Sequence, residues 1–285
     1  MKEQYLSGLA NVNVELTSRC NKDCWCCGRR KTERDYPELT LKYEDMRFGL
    51  VKKIASQLPR NIMVQLHNNG EGLLYPRFGE AVKLFKSQIT NIVTNGKLLV
   101  KKADEIINNL DTITISILEN DPESDEQYKI IKEFLKIKGE NKPNVILRLN
   151  GKVDASKYKK FGCIIATRLI HSEMGSYNYR KRNPTIPEAG ICLDFLHHMA
   201  INSYGKVSIC VRYDPKGVGF IGDANIQSLS EIWNGEKRMK WLDYHKRGQR
   251  EKIPLCSYCH FWGVPTGFDY RVQNPKIDEK EVFGK

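Results

Sequence analysis

The run Cys20-Asn21-Lys22-Asp23-Cys24-Trp25-Cys26-Cys27 sets three thiols in CxxxCxxC spacing within eight residues, and it constrains the chain more than any other feature. A structural zinc site closes its tetrahedron with four protein ligands, whereas a four-iron cluster held by three thiolates keeps one iron open for a small molecule. An open iron implies chemistry. A zinc knuckle or a plain cysteine-rich loop stands beside that reading, because the motif is short. The preceding stretch, Val12-Asn13-Val14-Glu15-Leu16, alternates apolar and polar residues and predicts a strand. The thiols then fall at a strand's carboxyl end, where parallel α/β folds collect ligands.

The chain has 285 residues, 40% of them hydrophobic, enough for one barrel-like domain with a small second one. No apolar run reaches the roughly 18 residues of a membrane span, and Met1-Lys2-Glu3-Gln4-Tyr5 lacks a signal peptide's apolar core, so a cytoplasmic protein away from membranes is expected. In that compartment nine cysteines point to metal rather than disulfides. The net charge of +12 invites a nucleic-acid reading, but much of it is diffuse lysine that suits a solvated surface. Two denser clusters, Arg29-Arg30-Lys31 and Arg180-Lys181-Arg182, are candidates for an anionic substrate or partner.

β-Branched runs alternate with helix-like segments, the pattern of βα units around a parallel sheet. Strands are predicted at Val12–Leu16, Ile62–Leu66, Asn91–Val93, Thr112–Leu118, Val145–Leu149 and Cys163–Leu169. Helices are predicted at Lys42–Ser56, Arg77–Lys86, Lys101–Asn108, Ser124–Lys136 and Ala155–Lys159. Beyond Pro184 and Pro187 comes a hairpin, His198–Asn202 and Lys206–Val211 through Ser203-Tyr204-Gly205, then short helices at Ser228–Asn234 and Glu236–His245. The expected division is 1–185 for a partial (β/α)6 TIM-like barrel, 186–264 for a small α+β domain and 265–285 for a tail.

A second cysteine set, Cys192, Cys210, Cys256 and Cys259, brackets the hairpin and ends in CxxC. Four ligands can close a site, and zinc or an iron-sulfur cluster would both serve.

With Glu15-Leu16-Thr17-Ser18-Arg19-Cys20 leading in, the first loop resembles that of the radical SAM enzymes. The family usually places an aromatic just before the third cysteine; here that position is Cys26, with Trp25 one place earlier. The CxxxxxxxxxxxxGxxxxC run from Cys192 through Gly205 to Cys210, with Leu229-Ser230-Glu231-Ile232-Trp233-Asn234 and Pro254-Leu255-Cys256-Ser257-Tyr258-Cys259, resembles their SPASM extension. No cysteine follows Cys259, so the shortened Twitch form fits better.

The resemblance implies an α/β partial barrel of radical SAM type, a [4Fe-4S] cluster on Cys20, Cys24 and Cys27 that binds S-adenosylmethionine, and one auxiliary [4Fe-4S] cluster on the second set. It also implies contacts to S-adenosylmethionine from Gly70 and Glu71 in Asn69-Gly70-Glu71, where Asn69 replaces the usual glycine, and from Asn95, Ser116 and Arg148. Glu71 is expected to complement the ammonium. His67, His171 and Glu173 fall at predicted strand ends, and Glu173 or His171 is the candidate base. The layout is similar to Twitch dehydrogenases of aminocyclitol pathways, which implies hydrogen abstraction from a small polar substrate, oxidation with electron transfer to the auxiliary cluster, and a reducing partner such as flavodoxin or ferredoxin. A radical epimerase, with Cys26 or Cys163 as spare thiol, a nucleotide-modifying enzyme and a non-catalytic zinc module are the alternatives.

Overall fold

The computed structural model describes residues 6–168, 170 and 191–257. Six strands run parallel in sequence order: β1 (Asn11–Val14), β2 (Met63–Gln65), β3 (Ile89–Thr94), β4 (Thr112–Leu118), β5 (Asn144–Asn150) and β6 (Ile164–Arg168). Between them come α1 (Gly28–Asp35), α2 (Phe48–Ala55), α3 (Phe78–Leu84), α4 (Ala103–Ile106), α5 (Ser124–Lys138) and α6 (Ser156–Lys159). This is the α/β partial barrel expected from the alternation of periods.

Strand alternation sorts the two faces of the sheet. Val12, Val14, Val64, Ile92, Ile113, Ile115, Ile117, Leu147 and Leu149 are buried in the main core, with Leu50, Val51 and Ile54 of α2 and Phe78, Ala81 and Val82 of α3. The opposite face carries Asn13, Asn91, Thr112, Thr114, Ser116 and Arg148, a polar lining suited to a lumen rather than a core.

The second domain does not build a sheet of its own. β7 (His198–Ile201) pairs parallel with the free edge of β1, from Asn11 with His198 to Val14 with Ile201. β8 (Lys206–Ser208) and β9 (Phe220–Asp223) then follow antiparallel, so nine strands make one sheet. The hairpin turns at Gly205, whose φ of +86° and closeness to Asn225 leave no room for a side chain: a Cβ would lie 2.5 Å from Asn225 Nδ2. α7 (Leu193–His197), α8 (Leu229–Trp233), α9 (Glu236–Lys246) and α10 (Pro254–Ser257) complete this half.

Several boundaries shift from expectation. The helix predicted from Lys42 begins at Phe48, because residues 44–46 are drawn out along the exit of β1: Ser18 N–H donates to Glu44 O (3.0 Å) and Met46 N–H to Leu16 O (2.8 Å). The strand predicted to Val211 stops at Ser208, after a register shift between Val207 and Ser208. The helix predicted over Lys101–Asn108 is regular only over Ala103–Ile106. Neither α1 nor β9 was anticipated. Among the described residues no helix is long and apolar enough to cross a membrane.

Candidate functional site

The three-cysteine loop leaves β1 and is tied down from several sides. Lys22, inside the motif, is buried and bonded to Asp121 Oδ1 (3.0 Å) and Glu123 Oε2 (2.7 Å) in the loop after β4. Burial alone would lower its pKa, but the two carboxylates outweigh that and hold it above the usual lysine value. Asn95 Nδ2 donates to Asn21 Oδ1 (2.8 Å), Lys97 Nζ to Asn21 O (3.3 Å), and Trp25 Nε1 to Glu119 O (3.0 Å). The loops after β1, β3 and β4 are thereby joined at the barrel's mouth.

The thiols crowd one another. Cys24 is pushed up to about 12, by burial first and then by Cys27, Cys26 and Cys20. Burial likewise raises Cys20, with Glu71 and Cys27 adding to it and Arg29 opposing. Cys27 thus lies within electrostatic reach of both Cys20 and Cys24. Burial pushes Cys26 up to about 11, with Cys27, Glu119 and Asp121 adding to it. Cys27 also caps α1, its N–H donating to Cys24 O (3.0 Å). Cys20 and Cys24, whose ionisation Cys27 disfavours, form with it a donor set that a cationic iron cluster would relieve. Among the described residues no three His, Cys, Asp or Glu side chains gather around a point that a single metal ion could take. A four-iron cluster asks for another arrangement, each thiolate on its own iron.

The first basic cluster is spent within the chain. Arg29 is buried and donates to Ser18 O, Arg30 donates to Tyr43 Oη (2.6 Å) and Cys20 O (3.4 Å), and Lys31 pairs with Asp35.

Gly70 packs flat on the approach to the motif, where a Cβ would meet Thr17 O at 2.1 Å and Arg19 O at 2.9 Å. Glu71 N–H donates to Arg19 O (2.8 Å). The Glu71 carboxylate is enclosed and accepts from Leu73 N (3.2 Å), Thr94 Oγ1 (2.9 Å) and Asn95 N (2.8 Å). It braces β3 against the Gly70 loop. Glu15, also buried, does the same between domains, accepting from Asn69 N (2.8 Å) and Ser203 N (3.0 Å).

Ser116 and Arg148 are register partners on β4 and β5, facing the lumen. His67 lies beside them. Its Nδ1 accepts from Val93 N–H (3.1 Å), which leaves the proton on Nε2, and burial followed by Arg148 lowers its pKa to about 3. Asn13 Nδ2 donates to His67 O and Asn13 Oδ1 accepts from His198 Nε2, both at 2.7 Å, and burial lowers His198 to about 4. Both imidazoles are neutral near pH 7.

In the second half, Cys192, Cys210 and Cys256 all pack against one small apolar cluster of Phe195, Ile209, Trp241, Leu242, Ile253 and Leu255. Chain segments 18 and 46 residues apart are thus brought to one place. His171, Glu173, Arg180–Arg182 and Cys259 lie outside the described residues.

This arrangement has counterparts. Residues 192–260 match the model of the SPASM family, an iron-sulfur cluster-binding domain. Over 91% of its length the chain is 22% identical to the S-adenosyl-L-methionine-dependent 2-deoxy-scyllo-inosamine dehydrogenase of Niallia circulans, covering 96% of that protein. The fold matches the crystal structure of BtrN in complex with AdoMet and 2-DOIA, with a TM-score of 0.60 and 19% identity over 92% of this chain and 97% of that one. It also matches Streptococcus suis SuiB bound to its precursor peptide SuiA, with a TM-score of 0.59 and 15% identity over 98% of this chain and 75% of SuiB. The SPASM match covers the second cysteine set, and the long relative carries the likeness across the barrel.

Sequence reasoning missed Lys22, Asp121, Glu123 and Glu15 as parts of the site. A lysine inside the cysteine motif and an acid pair after β4 were visible, but nothing in one sequence shows that they meet.

Proposed function

We propose that the chain is a radical SAM enzyme that removes hydrogen from a small polar substrate and oxidises it. What carries the reading is one sheet bearing a CxxxCxxC loop at the end of β1 and, on the neighbouring β7 side, a SPASM-type cysteine set. Cys20, Cys24 and Cys27 would hold the first [4Fe-4S] cluster; Cys192, Cys210, Cys256 and Cys259 would hold the auxiliary one. When bound, these groups supply a 5'-deoxyadenosyl radical from S-adenosylmethionine and an electron acceptor.

The chain's residues do the holding. Lys22, Asn21 and Trp25 fix the loop against β3 and β4. Gly70 keeps the neighbouring backbone close enough to offer carbonyls to the S-adenosylmethionine ammonium, while Glu71 locks that loop to Thr94 and Asn95. Ser116 presents a hydroxyl from the lumen wall. Glu173 or His171 is proposed as the base that takes the substrate's proton, and a flavodoxin or ferredoxin as the reducing partner.

Oxidation is favoured over epimerisation because the latter needs a spare thiol facing the substrate. Cys163 precedes β6, at the end away from the cysteine loop, with its Sγ 3.6 Å from Phe161 O. Anaerobic incubation with deuterated polyols and amino sugars tests the reading. Deuterium should move into 5'-deoxyadenosine, with a ketone as product. Solvent deuterium in an epimerised product would overturn the oxidation.

A further inference from the structure

The six parallel strands contain only two charged residues, Arg148 on β5 and Arg168 on β6. They share a face: Arg148 registers with Ala166 and Asn150 with Arg168, so the two guanidiniums stand diagonally on adjacent strands. That face is the lumen, since Arg148 is also the register partner of Ser116 and its charge reaches His67.

Arg148 is half-buried, and its guanidinium has no hydrogen bond or ion pair among the described residues. A cation held in a lumen without an anion is costly, and the second arginine adds to that cost. The neighbours do not relieve it. Ser116 is neutral, and His67 offers an Nε2–H donor, not an acceptor. The acids of the loop after β4 are committed: Asp121 and Glu123 to Lys22, and Glu119 to Lys152 N–H (2.5 Å).

We propose that Arg148 is a specificity-determining site that takes an oxyanion group of the substrate, a carboxylate or a phosphate, against the lumen wall. A planar guanidinium fork matches either group bidentately, and the His67 Nε2–H and Ser116 hydroxyl are further donors for it. The assignment deepens the proposed function, on which it rests for the identity of the lumen's occupant. It departs from an aminocyclitol, whose amine is a cation near pH 7, as substrate, and it reassigns Arg148 away from the carboxylate of S-adenosylmethionine.

Calorimetric titration of the reconstituted holoprotein with sodium phosphate, sodium acetate and S-adenosylmethionine tests it, comparing wild type with Arg148→Gln and Arg148→Lys. Wild type should bind phosphate or acetate, and whichever binds tells phosphate ester from carboxylate. Arg148→Gln should weaken that anion at least tenfold and leave S-adenosylmethionine affinity within twofold. Arg148→Lys should fall between and carries the comparison if the glutamine variant loses iron or helical circular dichroism. Anion affinity unchanged by both substitutions, no anion binding by wild type, or a tenfold loss of S-adenosylmethionine affinity would each overturn the assignment. Dithionite-driven cleavage of S-adenosylmethionine by wild type is scored separately: anion binding without cleavage keeps this site and removes the radical reading, and the reverse outcome does the opposite.

Discussion

Gly70 and His198 show what a single residue contributes. At Gly70 a methyl group would sit 2.1 Å from Thr17 O, a backbone atom that cannot step aside without moving the cysteine loop. Gly70→Ala should therefore lower the melting temperature by the equivalent of about 1–3 kcal/mol and impair S-adenosylmethionine binding, read by calorimetry. Unchanged binding would show that the loop's position is not needed. His198 is buried and held neutral, its value near 4 against 6.5 in the unfolded chain. A depressed imidazole value means that its contribution is complete above pH 6.5 and is lost as pH falls towards 4. Between pH 7 and 5 His198 should cost about 2 kcal/mol of stability, beside the loss from the likewise depressed His67, and His198→Gln should lessen the slope of that part of the urea-midpoint profile. The cysteines, Gly70 and Gly205 were legible because their chemistry or lack of a side chain is local. The direction of the Glu71 carboxylate was not, since its partners Thr94 and Asn95 lie 23 and 24 residues on.

Among elements, the parallel strands were the most legible, because β4 and β5 alternate apolar and polar residues almost without a break. α1 was hidden by its composition: Gly28-Arg29-Arg30-Lys31-Thr32-Glu33-Arg34-Asp35 has no apolar face, and the residue it buries is Arg29. Such a helix is held by its ion pairs and by Arg29 on Ser18 O rather than by an apolar stripe. The joint between the cysteine loop and the loop after β4 depends on Lys22, whose side chain and that of Asp121 are 5% and 4% exposed. Lys22→Met leaves a buried carboxylate without its cation and should destabilise by about 3–5 kcal/mol, while Lys22→Met with Asp121→Asn should recover part of the loss. Thermal melts of the two variants give the comparison. Equal melting of the single variant and wild type would place the loop's anchorage elsewhere.

At the scale of the molecule, the sequence indicated two units but not that they share a sheet. Pairing between Asn11–Val14 and His198–Ile201 joins segments 187 residues apart, and no periodicity encodes such a choice. The junction is reinforced by Glu15 on Ser203 N, by Trp233 Nε1 on Ser7 O (3.0 Å) and by Lys53 Nζ on Ala224 O (2.8 Å). Residues 1–186 alone would bare the edge of β1, an unpaired strand with a strong tendency to pair with another chain. That fragment should aggregate in sedimentation velocity; a stable monomer would mean that the barrel stands without the second half.

Coupling the two cysteine sets through one sheet makes sense if both carry clusters serving one reaction. The direct measurement is 5'-deoxyadenosine formed from S-adenosylmethionine and dithionite by the anaerobically reconstituted protein. Wild type should be brown, hold about eight irons, two cubanes' worth, and release 5'-deoxyadenosine. Cys20→Ala, Cys24→Ala and Cys27→Ala should release none, while Cys26→Ala and Cys192→Ala retain some. A colourless protein binding one or two zinc ions, or equal release by wild type and Cys24→Ala, would contradict the account.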